Sequence, residues 1–95
     1  MAASSREIYS EAREIVERIL DREGISGLQR IPYHNFALRL LRSLRRTPRE
    51  DWDKTIEALI VWHKYSQGAK KTVMRKIVKA LVKHYFSPSQ PRPPA

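Results

Sequence analysis

Residues 69–86 read AKKTVMRKIVKALVKHYF and carry the clearest helical pattern in the chain. Apolar residues recur there every three or four positions, as on one face of an α-helix. This face comprises Val73, Met74, Ile77, Val78, Leu81, Val82 and Tyr85. The opposite side is mainly basic and comprises Thr72, Arg75, Lys76, Lys79 and Lys83. The pattern predicts a helix that packs by its apolar face and presents a row of cations on the other.

Three segments upstream repeat this helical spacing, so the chain is expected to contain four helices. They span about residues 4–23, 32–46, 48–66 and 69–86. No segment alternates with a period of two, as a half-buried β-strand would. Short links between helices favour antiparallel neighbours. The sequence therefore predicts an all-α fold, a small antiparallel four-helix bundle that forms one domain over residues 1–86.

Turn-forming residues separate the predicted helices. Gly24 and Gly68 are placed to end the first and third helices in a left-handed conformation. Pro32 suits the first turn of the second helix, and Thr47 is expected to cap the start of the third. The link between the first two helices is rich in aliphatic residues and is expected to pack on the core, through Ile25, Leu28 and Ile31.

Residues 87–95 read SPSQPRPPA and form a distinct C-terminal segment. Four prolines in nine residues remove backbone N–H donors and fix φ, which excludes a helix. We expect an extended, polyproline-type tail. Its two PxxP spacings, Pro88 to Pro91 and Pro91 to Pro94, match the segments that aromatic grooves bind.

The composition is that of a single small globular domain. The chain has 95 residues, of which 41% are hydrophobic and 31% charged. The longest apolar run, residues 58–62, is far shorter than the roughly 20 residues of a membrane span. No secretory signal is evident at the start of the chain, so we expect a cytoplasmic location and no membrane partner. The absence of cysteine excludes disulfides and thiolate chemistry.

Positive charge is concentrated after the first helix. The chain has 19 Lys and Arg against 10 Asp and Glu, a net charge of +9. Residues 1–30 hold five basic and six acidic side chains, whereas residues 31–95 hold fourteen basic and four acidic. Twelve arginines with a single asparagine are also typical of a thermophile protein. Because clustered cations release counterions from phosphates, the segregation favours a polyanionic partner.

The leading hypothesis is a small basic accessory protein that binds nucleic acid. The basic faces of the second and fourth helices would form one cationic patch if they lie on the same side of the bundle. Asn and Gln are nearly absent from these faces, which favours phosphate contacts with little sequence specificity. DNA and RNA, single and double strands, and membership of a nucleoprotein, replication, repair or RNA-processing assembly all stay open. The candidate phosphate contacts are Arg39, Arg42, Arg45, Arg46, Lys70, Lys71, Arg75, Lys76, Lys79 and Lys83.

The competing hypothesis is a helical protein-interaction subunit or adaptor whose basic face docks on an acidic partner. Leu38, Val61 and Tyr65 break the apolar patterns of their helices and are the candidate anchors. Self-association as a homo-oligomer through the same residues is the related alternative.

Aromatic residues other than Tyr65 fall mainly on apolar helix faces. Those expected in the core are Tyr33, Trp52, Trp62 and Tyr85. Phe86 turns toward the basic side, where it can stack on a base or, more simply, pack against the tail.

No catalytic or metal-binding pattern stands out. Residues 68–72 lack the glycine directly before the Lys-Thr pair of a phosphate-binding loop, the loop's first glycine is replaced by His63, and no strand precedes them. The start of the fourth helix, with Lys70 and Lys71, is still a favourable place for an anion. No histidine lies four residues from another, and His63 is expected to be half-buried or at the surface. We therefore expect no enzyme activity, no metal and no cofactor.

Overall fold

The computed structural model describes residues 5–86, with side chains from residue 9 onward. Over this range the chain forms four α-helices and no strand: α1 (Ser5–Arg22), α2 (Ile31–Arg46), α3 (Trp52–Gln67) and α4 (Lys71–Phe86). Short 3-10 helices, Gly27–Arg30 and Arg49–Asp51, precede α2 and α3. The predicted all-α helical bundle is confirmed. The expected Pro-rich tail at residues 87–95 lies outside the described residues.

Contacts between α1 and α2 show that these helices are antiparallel. Tyr9, near the start of α1, accepts a hydrogen bond from Arg42, near the end of α2. Glu17, two turns further along α1, bonds His34, near the start of α2. The same reversal relates α2 to α3, since Phe36 early in α2 contacts His63 late in α3. Successive helices therefore run up and down, as the short connections require.

α2 and α4 lie on one diagonal of the bundle and point in the same direction. Each packs against α1, against α3 and against the other, whereas α1 and α3 hardly touch. At one end the backbone N–H of Lys70 donates to the hydroxyl of Tyr33 at 2.7 Å. At the other end Arg45 lies close enough to Tyr85 to influence its hydroxyl electrostatically. α1 and α3 consequently flank the central α2–α4 pair on opposite sides.

The core between the helices is mainly aliphatic and holds two buried aromatic residues of α2, Tyr33 and Phe36. The α2 helix contributes the largest share of it, because its buried positions recur at helical spacing along a broad face. The largest side chains with essentially no exposure come from all four helices: Val16, Leu20, Phe36, Leu40, Leu41, Leu44, Ile60, Met74, Ile77 and Leu81.

His63 belongs to this core, so the expectation of a half-buried or surface imidazole is wrong. Its side chain has no exposure to solvent. Nδ1 donates to the Leu59 carbonyl at 2.8 Å, and the ring meets those of Phe36 and Trp62 edge to face at 5.3 and 4.8 Å. These two rings shield the imidazole, and Nε2 finds no hydrogen-bond partner among the described residues.

Three of the predicted boundary residues are confirmed and one is wrong. Gly24 and Gly68 have left-handed backbone conformations at φ 71° and 73°, as expected, and Pro32 lies in the first turn of α2. Thr47 does not cap α3. Its hydroxyl donates back to the Ser43 carbonyl at 2.6 Å, which ends α2, and α3 begins only after the 3-10 helix.

The link between α1 and α2 packs on the core through one residue rather than three. Ile25 is buried, but Leu28 and Ile31 are 82% and 51% exposed, which corrects the expectation for them. Arg30 holds this link in place, because its guanidinium binds the Ile25 carbonyl, Glu17 and Asp21 at once. Polar contacts to α1 thus replace the apolar packing that the sequence suggests.

Candidate functional site

The two predicted rows of cations lie on opposite sides of the molecule. We call Arg39, Arg42, Arg45 and Arg46 the α2 row. Since α2 and α4 face each other across the core, their polar sides point away from each other, with α1 and α3 between them. The single continuous patch expected from the sequence is therefore not formed. A helical wheel fixes which side of one helix is polar, but not how two helices are placed relative to each other.

Neighbouring aromatic rings hold half of the α2 row. The Arg39 guanidinium lies over the Trp62 ring of α3, 4.8 Å from its centroid. Arg42 donates to the Tyr9 hydroxyl at 2.8 Å and lies over the same ring of α1. Arg45 and Arg46 are exposed, and no ion pair forms at either within the described range. These cation–π contacts keep the charge of Arg39 and Arg42 but restrict the directions that they face.

Two cations of α4 are paired with acids on either side of it. Arg75 makes two hydrogen bonds to Glu57 of α3, at 2.7 and 2.9 Å, and this guanidinium lowers the pKa of Glu57 below its usual value. Lys76 binds Glu23, in the turn that follows α1, at 2.7 Å. Both pairs are exposed and therefore contribute little to stability, but they reduce the local positive charge.

The other candidate cations on α4 and directly before it are exposed and make no ion pair with any described residue: Lys70, Lys71, Lys79 and Lys83. Lys70 and Lys71 lie at the start of the helix. Thirteen residues separate Lys70 from Lys83, about 20 Å along a helix. One of the N–H groups expected to attract an anion at that end, that of Lys70, already donates to Tyr33. Lys79 and Lys83 therefore form a cationic cluster that is separate from the one at the start of the helix.

Two grooves meet along Lys79 and Lys83. The groove between α1 and α4 has a volume of about 370 Å³, and the groove between α3 and α4 about 580 Å³. Both lysines line both grooves. Arg22 stands at the edge of the first groove and Arg49 at the edge of the second. We call the resulting surface the α4 face: Arg22, Arg49, Lys76, Lys79 and Lys83.

Sequence reasoning missed Arg22 and Arg49 because neither belongs to a basic helix face. Arg22 ends an acidic helix, and Arg49 lies in a 3-10 turn, over the Trp52 ring at 4.2 Å. Only the packing of α1 and α3 against α4 brings them beside Lys79 and Lys83. Among the described side chains, the acids that line the two grooves are Glu23, which binds Lys76, and Asp53. The α4 face therefore keeps an excess of positive charge.

The three candidate protein anchors are not brought together. Leu38 is half-buried in the groove between α1 and α2. Val61 and Tyr65 lie on the outside of α3 and are 46% and 76% exposed. Trp62, expected in the core, joins them at 45% exposed. It points toward α2, where the Arg39 guanidinium rather than the core covers it.

Phe86 is not free to stack on a base. Its ring packs edge to face on Trp52 at 5.0 Å, which closes one end of the α3–α4 contact. This contact speaks against stacking on a base and leaves the α4 face without an exposed aromatic residue of its own helix. The expected packing of Phe86 against the tail involves residues 87–95, which lie outside the described range.

Within the described range, no three His, Asp or Glu side chains cluster as metal ligands would. Of the helices described, none is both long and apolar enough to cross a bilayer. No family model, curated protein or solved structure shows significant similarity to the chain.

Proposed function

We propose that the protein binds nucleic acid through the α4 face, by contacts to the phosphate backbone with little sequence preference. The observation that carries this proposal is the position of Lys79 and Lys83, which line two grooves and pair with no described acid. Binding in the cytoplasm, as an accessory component of a larger nucleoprotein assembly, is part of the same proposal.

The chemistry of the α4 face suits phosphates better than bases. Lys76, Lys79 and Lys83 follow each other at three- and four-residue spacing, so their ammonium groups lie along one side of the helix. Each contact with a phosphate would release a condensed counterion and make affinity depend on salt. Of the residues described, no Asn or Gln lines either groove, and those amides are the usual readers of adenine edges.

The α2 row takes a different place in this proposal from the one that the sequence suggested. A rigid duplex on the α4 face cannot reach cations on the far side of the bundle. Arg45 and Arg46 would therefore meet a second segment of nucleic acid, and the α4 face alone accounts for the first contact. DNA and RNA both satisfy this chemistry.

The test is a charge reversal at the centre of the α4 face. We expect the double variant Lys79→Glu and Lys83→Glu to lose at least about tenfold in affinity for a labelled oligonucleotide at low salt. The slope of log affinity against log salt should fall by about 2, since each lost phosphate contact removes about one unit. Fluorescence anisotropy with the oligonucleotide as a single strand and as a duplex measures both.

The matched control is the double variant Arg13→Glu and Arg18→Glu, which changes the net charge equally on the outer side of α1, in a groove that shares no residue with the α4 face. Both arginines are exposed and make no ion pair with a described residue. The control should keep most of the affinity and most of the salt slope. Equal losses in the two double variants would show that only net charge matters, and the proposed site would then be wrong.

A further inference from the structure

The α3 helix has a second apolar side that faces away from the bundle. Its inner side supplies Ile60 and His63 to the core. Its outer side exposes Ala58, Val61, Trp62 and Tyr65, and we call these four residues the α3 outer face. Their spacing of i, i+3, i+4 and i+7 is that of a helix face that packs on another helix.

The residue types of the α3 outer face favour a protein contact. Trp62 and Tyr65 are 45% and 76% exposed, and Arg39 of α2 lies against Trp62. Trp, Tyr and Arg are the residues that most often dominate the binding energy of protein interfaces. Isolated exposed apolar residues need no explanation, but a contiguous group with helical spacing marks an interaction surface.

Cations border the α3 outer face. Lys54 continues the same stripe one turn before Ala58, and Lys64 places its ammonium 5.3 Å from the centroid of the Tyr65 ring. Arg39 lies beside Trp62 on the α2 side. The acid on this helix nearest to the face, Glu57, is bound to Arg75 by two hydrogen bonds. A partner that is complementary to this surface has an apolar stripe to pack on its apolar centre and carboxylates beside that stripe to meet its cationic border.

We infer that the α3 outer face docks an acidic amphipathic helix of a partner protein. From Lys54 to Tyr65 the surface extends about 16 Å, or three helical turns, which matches a short helix laid along α3. Apolar side chains of the partner would pack on Val61, Trp62 and Tyr65. Its carboxylates would meet Lys54, Lys64 and Arg39.

Two other occupants fit the surface less well. A second copy of the chain would bring Lys54, Lys64 and Arg39 against the same cations, and like charges at an interface are unfavourable. A single strand of nucleic acid would stack its bases on the rings, but Arg39 already covers one face of Trp62 and Lys64 lies over Tyr65. The inference uses none of the residues of the α4 face, so it does not depend on the proposed nucleic-acid binding.

The test uses two synthetic helical peptides and three variants of the full chain. The two peptides share a leucine stripe at i, i+3, i+4 and i+7. At their charged positions the acidic peptide carries only Glu and the basic peptide carries only Lys. The variants are Val61→Glu, Tyr65→Glu and, as the control, Leu28→Glu. Leu28 is 82% exposed and lies between α1 and α2, so it matches the solvent exposure of Tyr65 without sharing its surface. Amide chemical shifts map the binding, calorimetry measures it, and thermal unfolding checks that each variant is folded.

We expect the acidic peptide to shift the amides of residues 54–65 and to bind at least about tenfold more weakly to Val61→Glu and Tyr65→Glu than to the parent. Leu28→Glu should bind as the parent does, and the basic peptide should not bind. Absence of acidic-peptide binding, or equal binding of the basic peptide, would overturn the inference. A dimer of the parent that dissociates on Tyr65→Glu would also overturn it, because the surface would then bind a second copy of the chain. An oligonucleotide that shifts the same amides and displaces the peptide would assign it to nucleic acid and overturn the inference too.

Discussion

Gly68 closes the turn between α3 and α4, and its backbone conformation explains why a glycine is needed. Its φ of 73° lies in the left-handed region, which a Cβ makes unfavourable. Its N–H donates to the Lys64 carbonyl at 3.1 Å, and the N–H of Ala69 donates to the His63 carbonyl. These two bonds satisfy carbonyls at the end of α3 that have no partner within the helix. A Cβ at this position would meet no atom of the described part of the chain within 4 Å.

The substitution Gly68→Ala therefore measures the free-energy cost of the left-handed backbone conformation by itself. We expect it to lower the free energy of unfolding by about 1 kcal/mol, since left-handed strain costs about 1–2 kcal/mol and alanine regains a little by restricting the unfolded chain. Gly68→Asn should cost less, because asparagine tolerates this conformation better. Urea unfolding followed by circular dichroism measures both. Equal stability of Gly68→Ala and the parent would contradict the assigned conformation.

At the scale of elements, ion pairs fasten the start of α2 to the middle of α1. Arg30 lies between Glu17 and Asp21 of α1, with Nη–O distances of 2.6 Å to each, while Glu17 also bonds His34. The hydrogen bond from His34 and, after it, the bonds and charge of Arg30 lower the pKa of Glu17 below its ordinary value, against a partial rise from burial. This cluster serves the fold, because it fixes the link in which Leu28 and Ile31 remain exposed.

The lowered pKa of Glu17 predicts a contribution to acid unfolding. In the unfolded chain Glu17 takes up its proton near pH 4.5, whereas in the folded protein it does so only at lower pH. The unfolded state then binds more protons, so the stabilisation present above pH 4.5 is lost as the pH falls through the folded value. Glu17→Gln should lower the melting temperature at pH 6 and make its decline below pH 4.5 shallower. A decline as steep as that of the parent would contradict this role.

At the scale of the whole molecule, the distribution of charge and apolar surface gives two separate candidate surfaces. The α4 face combines cations of α1, of α4 and of the turn before α3, whereas the α3 outer face combines aromatic residues with a cationic border. Arg75 and Glu57 lie between them as an ion pair. Because the two surfaces share no side chain, changes at one should not alter binding at the other.

This separation is testable by crossing the variants with the two ligands. Tyr65→Glu should keep oligonucleotide binding within about threefold of the parent, apart from the effect of one added negative charge. The Lys79→Glu and Lys83→Glu double variant should keep acidic-peptide binding to the same extent. Anisotropy and calorimetry on the same preparations measure both. A loss of both ligands in either variant would show one shared surface, contrary to the arrangement described above.

The local features were predictable because they depend on short-range spacing. The geometry of a single helix accounts for three of them: the division of residues 69–86 into two faces, the left-handed glycines, and the proline in the first turn of α2. The role of Thr47 was not predictable in this way, because its hydroxyl has two possible partners. It can accept from N–H groups that follow it in the sequence, as a cap does, or donate to the Ser43 carbonyl that precedes it, as it does here. The fate of the adjacent Trp62 and His63 was equally open, since both fall on one broad apolar arc.

The sequence by itself determined the helical class, the number of helices and the concentration of cations after the first helix, because periodicity and composition act within a segment. Only the tertiary structure decided that α2 and α4 share a diagonal, so that their cations point to opposite sides. It also placed Arg22 and Arg49 beside Lys79 and Lys83 and left Trp62 at the surface while burying His63. The physical reason is that the packing of helices depends on the shapes of several faces together, and no single helical pattern contains that information.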